Sequence, residues 1–263
     1  MFWVDIWKFK NHIEYEYKYA GKYGAKGERR AKRKKPTPEQ VKLQNQWLRE
    51  KKMRRVLAAN FEEDDYWICL KYPKGTRKSL KEINDDMKKF MDNLRKDYRK
   101  CGSEMKLVIR KEIGKRGGIH IHIVANRIPG ADTDVMIRNR WKPFGSCNFA
   151  LLYEQGGFRD LAEYIVKQPD EEQQKQLDKL PEEDRKALIK YSSTRNLIRP
   201  VPERHLYSNR TMRKMVQEGP KAQEGYYIDA ESVVIGVNKF TGMSYLHYTE
   251  YRIRPDTQRM EGG

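Results

Sequence analysis

The sequence is poor in cysteine, has no long apolar run and is short of acidic residues. Its three cysteines, Cys69, Cys101 and Cys147, lie far apart and form no CxxC pair. This spacing argues against a zinc finger or a disulfide framework and suits a reducing cytoplasm. No apolar run approaches the roughly 20 residues of a membrane-spanning helix, and the first residues lack the pattern of a secretory signal. We therefore expect a soluble, cytoplasmic protein.

The shortage of acidic residues leaves a large positive charge. The chain has 55 Lys and Arg against 37 Asp and Glu, a formal charge of +18, and residues 1–60 hold a disproportionate share of the excess. Such a balance favours a polyanionic partner, usually a nucleic acid. A basic soluble protein without such a partner is the alternative. With 38% hydrophobic residues, the chain can still build a core.

The densest basic run extends from Lys26 to Lys35, just before Pro36-Thr37-Pro38. Like charges this close repel one another, so we predict an exposed arm rather than a packed element. The arm is either a solvated linker or a contact for phosphates, and the charge asymmetry favours phosphates. The candidate DNA-binding residues are Arg29, Arg30, Lys32, Arg33, Lys34 and Lys35.

Hydrophobic periodicity predicts alternating strands and helices along the chain. Tyr15, Tyr17 and Tyr19 alternate with polar residues, as in a short edge strand, and Asp170 to Asp184 reads as a solvent-exposed helical insertion. The other predicted strands lie at 65–72, 105–113, 119–126 and 148–153, with helices at 38–59, 79–101, 132–140 and 158–168 and a terminal hairpin within 226–248.

The strand that begins at Gly117-Gly118 carries two of the five histidines. Side chains alternate along a strand. His120, His122 and Val124 are therefore predicted to share one face, with Ile119, Ile121 and Ile123 on the other. Two imidazoles side by side on a sheet can share a cation, although a strand can also carry histidines on its polar face by chance.

Glu112 lies eight residues before His120, across a predicted five-residue turn. A carboxylate there can lie beside the histidine strand, and one carboxylate with two imidazoles suits Mg²⁺ or Mn²⁺. Alternatively, Glu112 is a surface charge in a strand rich in Lys and Arg.

Tyr164 and Lys167 are neighbours on one turn of the predicted helix at 158–168. A tyrosine can act as a covalent nucleophile, and a nearby ammonium can lower the pKa of the phenol or offset charge on a phosphate. The alternative is the ordinary boundary of an amphipathic helix.

Together these motifs resemble the HUH endonucleases, in their rolling-circle replication initiator (Rep) branch. The resemblance rests on motif order: Trp67-Ile68-Cys69-Leu70, then His120-Ile121-His122, then Tyr164-Ile165-Val166-Lys167. Glu112 matches the acidic metal ligand that precedes the histidines in viral members. Relaxases, another branch, usually place the tyrosine before the histidines.

The resemblance implies an α+β fold with a central antiparallel sheet and flanking helices, a ferredoxin-like or RRM-like palm. It also implies that Glu112, His120 and His122 hold Mg²⁺ or Mn²⁺, and that Tyr164, aided by Lys167, forms a 5′-phosphotyrosine link with single-stranded origin DNA, which can be a hairpin. The expected domains are a basic arm and helix at 1–60, the nuclease domain at 61–205, and a C-terminal extension with a β-hairpin at 206–263.

Two departures qualify the resemblance. No second tyrosine lies four residues from Tyr164, which implies a one-tyrosine enzyme, and no GxxxxGK[ST] loop occurs, which implies that a host or separately encoded helicase unwinds the DNA. A one-tyrosine transposase, a mobilisation nickase and a non-enzymatic nucleic-acid-binding protein are the alternatives.

Overall fold

The computed structural model describes residues 1–21, 36–115, 117–152, 158–238 and 242–253. The chain divides into two compact units: a central unit, residues 37–199, and a terminal unit made from the two ends of the chain, residues 1–36 and 200–263. The candidate DNA-binding residues of the basic arm, Arg29 to Lys35, lie outside the described residues. None of the helices in the described part is both long and apolar enough to cross a membrane.

The described elements alternate between strands and helices. The strands are β1 (Phe2–Lys8), β2 (His12–Tyr19), β3 (Tyr66–Lys71), β4 (Leu107–Ile113), β5 (Ile119–Ala125), β6 (Ser146–Leu151), β7 (Tyr191–Ser193), β8 (Glu203–Tyr207), β9 (Tyr226–Ile228), β10 (Val234–Val237) and β11 (Ser244–Arg252). The α-helices are α1 (Pro38–Asn60), α2 (Leu80–Lys100), α3 (Thr133–Trp141), α4 (Arg159–Val166), α5 (Glu171–Leu177), α6 (Glu182–Ile189) and α7 (Asn209–Glu218). The predicted α+β class, with antiparallel sheets and flanking helices, is confirmed.

The two longest helices begin where the sequence predicts. Thr37 and Ser79 cap α1 and α2, and each forms a capping box with the Gln or Glu three residues later. These caps satisfy backbone N–H groups that have no partner within the helix. Sequence-based boundaries are therefore accurate where a cap and a periodic apolar pattern coincide.

The central unit is built on a five-stranded antiparallel sheet in the order β6-β3-β5-β4-β7. One face carries the isoleucines of the histidine strand, which pack against Phe90 and Leu94 of α2 and Trp141 of α3. On the other face, Val108 and Val124 pack against α1 and α4. The predicted alternation of the histidine strand is confirmed: Ile121 and Ile123 are fully buried, on the side of α2.

The terminal unit is built on a second antiparallel sheet, in the order β10-β11-β2-β1-β8, with β9 also paired to β11. The predicted hairpin near the C-terminus is confirmed as the pairing of β10 with β11. The prediction of an edge strand at the alternating tyrosines is wrong, because β2 pairs with β1 on one side and β11 on the other. Tyr15 and Tyr17 are buried and stack with Tyr248 of β11.

The prediction of a solvent-exposed insertion between Asp170 and Asp184 is wrong in part. Much of this segment is exposed, but Gln173 and Leu177 of α5 are buried. Leu177 packs in a small cluster with Ile113 of β4 and Leu188 of α6. The sequence hides this contact because a seven-residue helix with a single apolar residue shows no periodic stripe.

Candidate active site

The register of three strands brings a row of polar side chains to the face of the central sheet that α4 covers. Glu112 lies directly opposite His120, and Arg110 lies opposite His122. On the other side of β5, Cys69 of β3 is also opposite His122. Residues directly opposed in an antiparallel pair point to the same face. These five side chains therefore share the surface on which α4 packs.

Helix α4 presents Tyr164 to this row. Ala162, Ile165 and Val166 are buried in the cluster that contains Val108 and Val124, so the apolar side of the helix lies on the sheet. Just before the helix, Phe158 has a left-handed backbone (φ 61°), which is unfavourable for a residue with a side chain. Its ring is buried in the same cluster, and this packing holds the start of the helix against the sheet.

The hydroxyl group of Tyr164 bridges the carboxylate and one imidazole. It donates a hydrogen bond to Glu112 Oε2 at 2.9 Å, and its oxygen lies 3.1 Å from His122 Nε2. Glu112 Oε2 and His122 Nε2 are themselves 3.9 Å apart. The three predicted residues Glu112, His122 and Tyr164 are thus brought to one point.

Trp67 fixes the orientation of both rings. Its indole stacks on His122 with centroids 5.1 Å apart and planes 7° apart, and it meets Tyr164 edge to face at 5.5 Å. Stacked and edge-to-face arrangements are the preferred geometries of aromatic pairs. Trp67 belongs to the first of the three sequence motifs, and its contacts explain why an aromatic residue at this position supports the site.

Burial sets the charge of each group at the site. It raises the pKa of Tyr164, as do the hydrogen bond to Glu112 and the negative charge of that carboxylate. Burial also lowers the pKa of His122. For Glu112, burial favours protonation, but hydrogen bonds from Gln173 and Tyr164 and the nearby charge of Lys167 outweigh it, and its pKa lies below the usual value. At neutral pH the site therefore holds a neutral phenol, a neutral imidazole and a carboxylate.

Lys167 lies at the C-terminal cap of α4, with its side chain exposed to solvent. Its ammonium nitrogen is 5.9 Å from the centre of the Tyr164 ring. The backbone at this position is held by the buried Arg110, which donates a hydrogen bond to the carbonyl oxygen of Lys167 at 3.1 Å and another to the carbonyl oxygen of Ile189. Lys167 is thus an exposed cation of the site, attached to a fixed backbone.

Two residues of the site were missed by the sequence analysis, Arg110 and Gln173. Gln173 Nε2 donates a hydrogen bond to Glu112 Oε1 at 2.5 Å, while its Oε1 accepts one from the backbone of Asp170. The sequence held one signal for Arg110: it lies two residues before Glu112 and so shares its face. For Gln173 the sequence held only the capping pattern of α5, which does not reveal its contact with Glu112.

His120 stands apart from this group. It is on the same face, opposite Glu112, but its ring lies over the turn, where a Cβ added to Gly114 would come within 2.8 Å of Nε2. Across the described ranges, no three His, Cys, Asp or Glu side chains are arranged to hold a metal ion. Glu112 and His122 do fit a cation in kind and spacing, because two ligands each about 2.1 Å from one ion lie about 3 to 4 Å apart. In addition, His122 Nδ1 is buried and has no hydrogen-bond partner among the described residues.

Residues 65–169 match the family model of the replication-associated protein ORF2. The match covers less than half of the chain, from the start of β3 to just beyond α4, and it includes all three motifs of the resemblance. No curated protein and no solved structure matches the chain. The predicted resemblance to Rep proteins is confirmed over this segment, and the family supports a role in rolling-circle DNA replication with origin DNA as the partner.

Proposed function

We propose that this chain, whose residues 65–169 match a family of rolling-circle replication initiators, nicks and rejoins single-stranded origin DNA with Tyr164 as the nucleophile. The observation that carries the proposal is the position of the Tyr164 hydroxyl, 2.9 Å from Glu112 and 3.1 Å from His122. A phenol between two potential proton acceptors, on a helix packed against a strand with two histidines, is the arrangement that a tyrosine nucleophile requires.

The proposed reaction exchanges one phosphodiester for another. Tyr164 Oη attacks the phosphorus atom, and the bond from phosphorus to the 3′ oxygen breaks. The products are a 5′-phosphotyrosine link and a free 3′-OH, which primes synthesis. The phenolic proton passes to Glu112 or His122, and the leaving 3′ oxygen takes up a proton. In the reverse direction a 3′-OH attacks the link and releases Tyr164, so strands are rejoined without an external energy source.

The raised pKa of Tyr164 identifies the barrier that the site has to lower. A phenol that donates to a carboxylate holds its proton tightly at neutral pH. Glu112, His122 and, after a turn of its exposed side chain, His120 would hold Mg²⁺ or Mn²⁺. The ion would supply positive charge that polarises the scissile phosphate and withdraws Glu112 from the phenol. Lys167 adds a second positive charge beside the ring, where it can offset charge on the phosphate oxygens.

Affinity for DNA is expected to depend on the rest of the basic surface. We assign backbone contacts to the arm from Arg29 to Lys35, which supply affinity but little sequence reading. Because the chain has no GxxxxGK[ST] loop, strand separation falls to a separate helicase in this scheme.

The decisive experiment is a search for a covalent protein–DNA adduct. The protein is incubated with Mn²⁺ and a library of random or candidate-origin single strands and is then resolved on a denaturing gel. We expect a slow-migrating band that disappears in Tyr164→Phe and with a chelator, and a fall of at least about 10³-fold in adduct formation, because the nucleophile itself is lost. Tyr227→Phe removes an exposed hydroxyl elsewhere and is the matched control, which should behave like wild type.

Each other result has a clear meaning. A band that survives Tyr164→Phe would assign the nucleophile to another residue. Tight DNA binding with no band, and no response to Mn²⁺, would favour a non-enzymatic binding protein. Cleavage at transposon ends or at a transfer origin, rather than at a replication origin, would favour a transposase or a mobilisation nickase that uses the same chemistry.

A further inference from the structure

A separate pocket opens on the side of the central sheet that α2 covers. It has a volume of about 650 Å³ and lies between the C-terminal half of α2, β7 and the residues that follow β7. Its floor is apolar, formed by Met91, Met105 and Ile109, which belong to the α2 side of the core. Tyr164 packs on the opposite face of the sheet, so this α2–β7 pocket is distinct from the tyrosine site.

Three arginines, Arg95, Arg99 and Arg195, line the rim of the α2–β7 pocket. Arg95 forms an ion pair with Asp92 at 2.9 Å. In contrast, the guanidinium groups of Arg99 and Arg195 make no hydrogen bond or ion pair within the part of the chain that the structure describes. The single carboxylate at the rim, Glu104, accepts a hydrogen bond from Asn196 at 3.3 Å. The rim is therefore positive and can take up an anion.

The backbone around the pocket is held in place, although the rim is exposed. Thr194 accepts a hydrogen bond from the backbone of Leu107, and the Asn196 side chain donates one to the carbonyl oxygen of Met105. These contacts fix the segment after β7 against β4 and spare the Ser192 hydroxyl, which is exposed at the pocket. The pocket is therefore preformed, with donors at the rim and an apolar floor.

We infer that the α2–β7 pocket binds a short stretch of single-stranded DNA, with phosphates paired to Arg99 and Arg195 and a base or sugar on the methionine floor. Arg95 and Arg99 are one helical turn apart, about 6 Å along the axis, a spacing suited to successive phosphates of an extended strand. Guanidinium groups match phosphate geometry, and apolar or aromatic surfaces accept any base. The inference rests on the proposed function for the nature of the ligand, and it gives that substrate a second holding point.

The first test measures binding of fluorescently labelled oligothymidylate in the Tyr164→Phe background, so that no cleavage is needed. In Arg99→Ala/Arg195→Ala we expect the Kd at about 0.1 M salt to rise about tenfold, and the slope of log affinity against log salt to shrink by about 2. Arg210→Ala/Arg213→Ala removes two exposed arginines from α7 and is the matched control, expected to change the Kd less than about twofold. Equal losses in the two double variants, or no loss in either, would overturn the inference.

A second measurement locates the contact directly in the unaltered protein. Phenylglyoxal modifies exposed arginines, and peptide mass spectrometry reports the extent at each position. Saturating oligothymidylate should protect Arg99 and Arg195 several-fold and leave Arg210 unchanged. Unchanged modification of Arg99 and Arg195 would exclude the pocket as a DNA site, even if the adduct at Tyr164 were demonstrated. Conversely, protection without any adduct would support the pocket and count against the proposed chemistry.

Discussion

The two faces of the central sheet are made by alternate residues of the same strands, yet they differ in character. On the α2 side, Ile121 and Ile123 meet Phe90 and Leu94 in an apolar core. On the α4 side, the intervening positions of the same strands carry Arg110, Glu112 and the two histidines. The period of a strand therefore places a stabilising core and a reactive site one residue apart. Substitutions on the two faces should accordingly affect different properties, and the following predictions test this.

The largest effect on stability is expected on the apolar face. Ile121→Ala removes a fully buried side chain and should lower the free energy of unfolding by about 2–5 kcal/mol, because it leaves a cavity. His120→Ala, one residue away and exposed, should change it by less than about 0.5 kcal/mol. Urea unfolding at neutral pH measures both. Similar losses in the two variants would show that both faces contribute to the core.

An intermediate effect is expected for Arg110, the buried cation of the polar face. Arg110→Met leaves the carbonyl oxygens of Lys167 and Ile189 without their donor and should destabilise the protein by about 1–3 kcal/mol. Adduct formation should also slow, because the end of α4 is no longer fixed beside Glu112. Arg110→Lys keeps the charge but loses the forked geometry and should lie between wild type and Arg110→Met. A slower reaction with unaltered DNA affinity would identify Arg110 as a positioning residue; unaltered rates would remove it from the site.

The smallest effect concerns the pH dependence of stability. Because burial holds the pKa of His122 below its usual value, the unfolded chain takes up a proton at this histidine more readily than the folded chain. The contribution of His122 is therefore present above about pH 6.5 and is lost as the pH falls towards the folded pKa. His122→Gln should flatten the stability curve between about pH 7 and 5, by about 1 kcal/mol or less, in urea unfolding with a chelator present. An identical curve in the variant would show that His122 does not titrate differently on folding.

Local patterns in the sequence were enough to predict much of the central unit. Capping residues located α1 and α2, and alternation placed the histidines and isoleucines of β5 on opposite faces. The spacing of Glu112 and His120 across a short turn matched the hairpin register found in the structure. Each of these features depends on residues close together in the chain, where periodicity is informative.

The parts that could not be predicted depend on contacts between distant segments. Arg110 looked like one more cation in a basic strand until the structure showed it bonded to the ends of α4 and α6. Gln173 reaches Glu112 from 61 positions away in sequence. The edge-strand prediction for β2 failed because its second neighbour, β11, lies more than 200 residues later in the chain. The roles of Glu112, His120, His122, Tyr164 and Lys167 remain predictions until the adduct experiment is done.

The pairing of β2 with β11 also affects the order of events during synthesis. A ribosome delivers β1 and β2 first, then all of the central unit, and only at the end the strand that completes the terminal sheet. Until then, the tyrosine-rich side of the nascent hairpin has no partner strand. The central unit, whose contacts arise within residues 37–199, can fold while translation continues. We therefore expect a ribosome-stalled chain that lacks β11 to contain a folded central unit and a terminal unit that recruits chaperones.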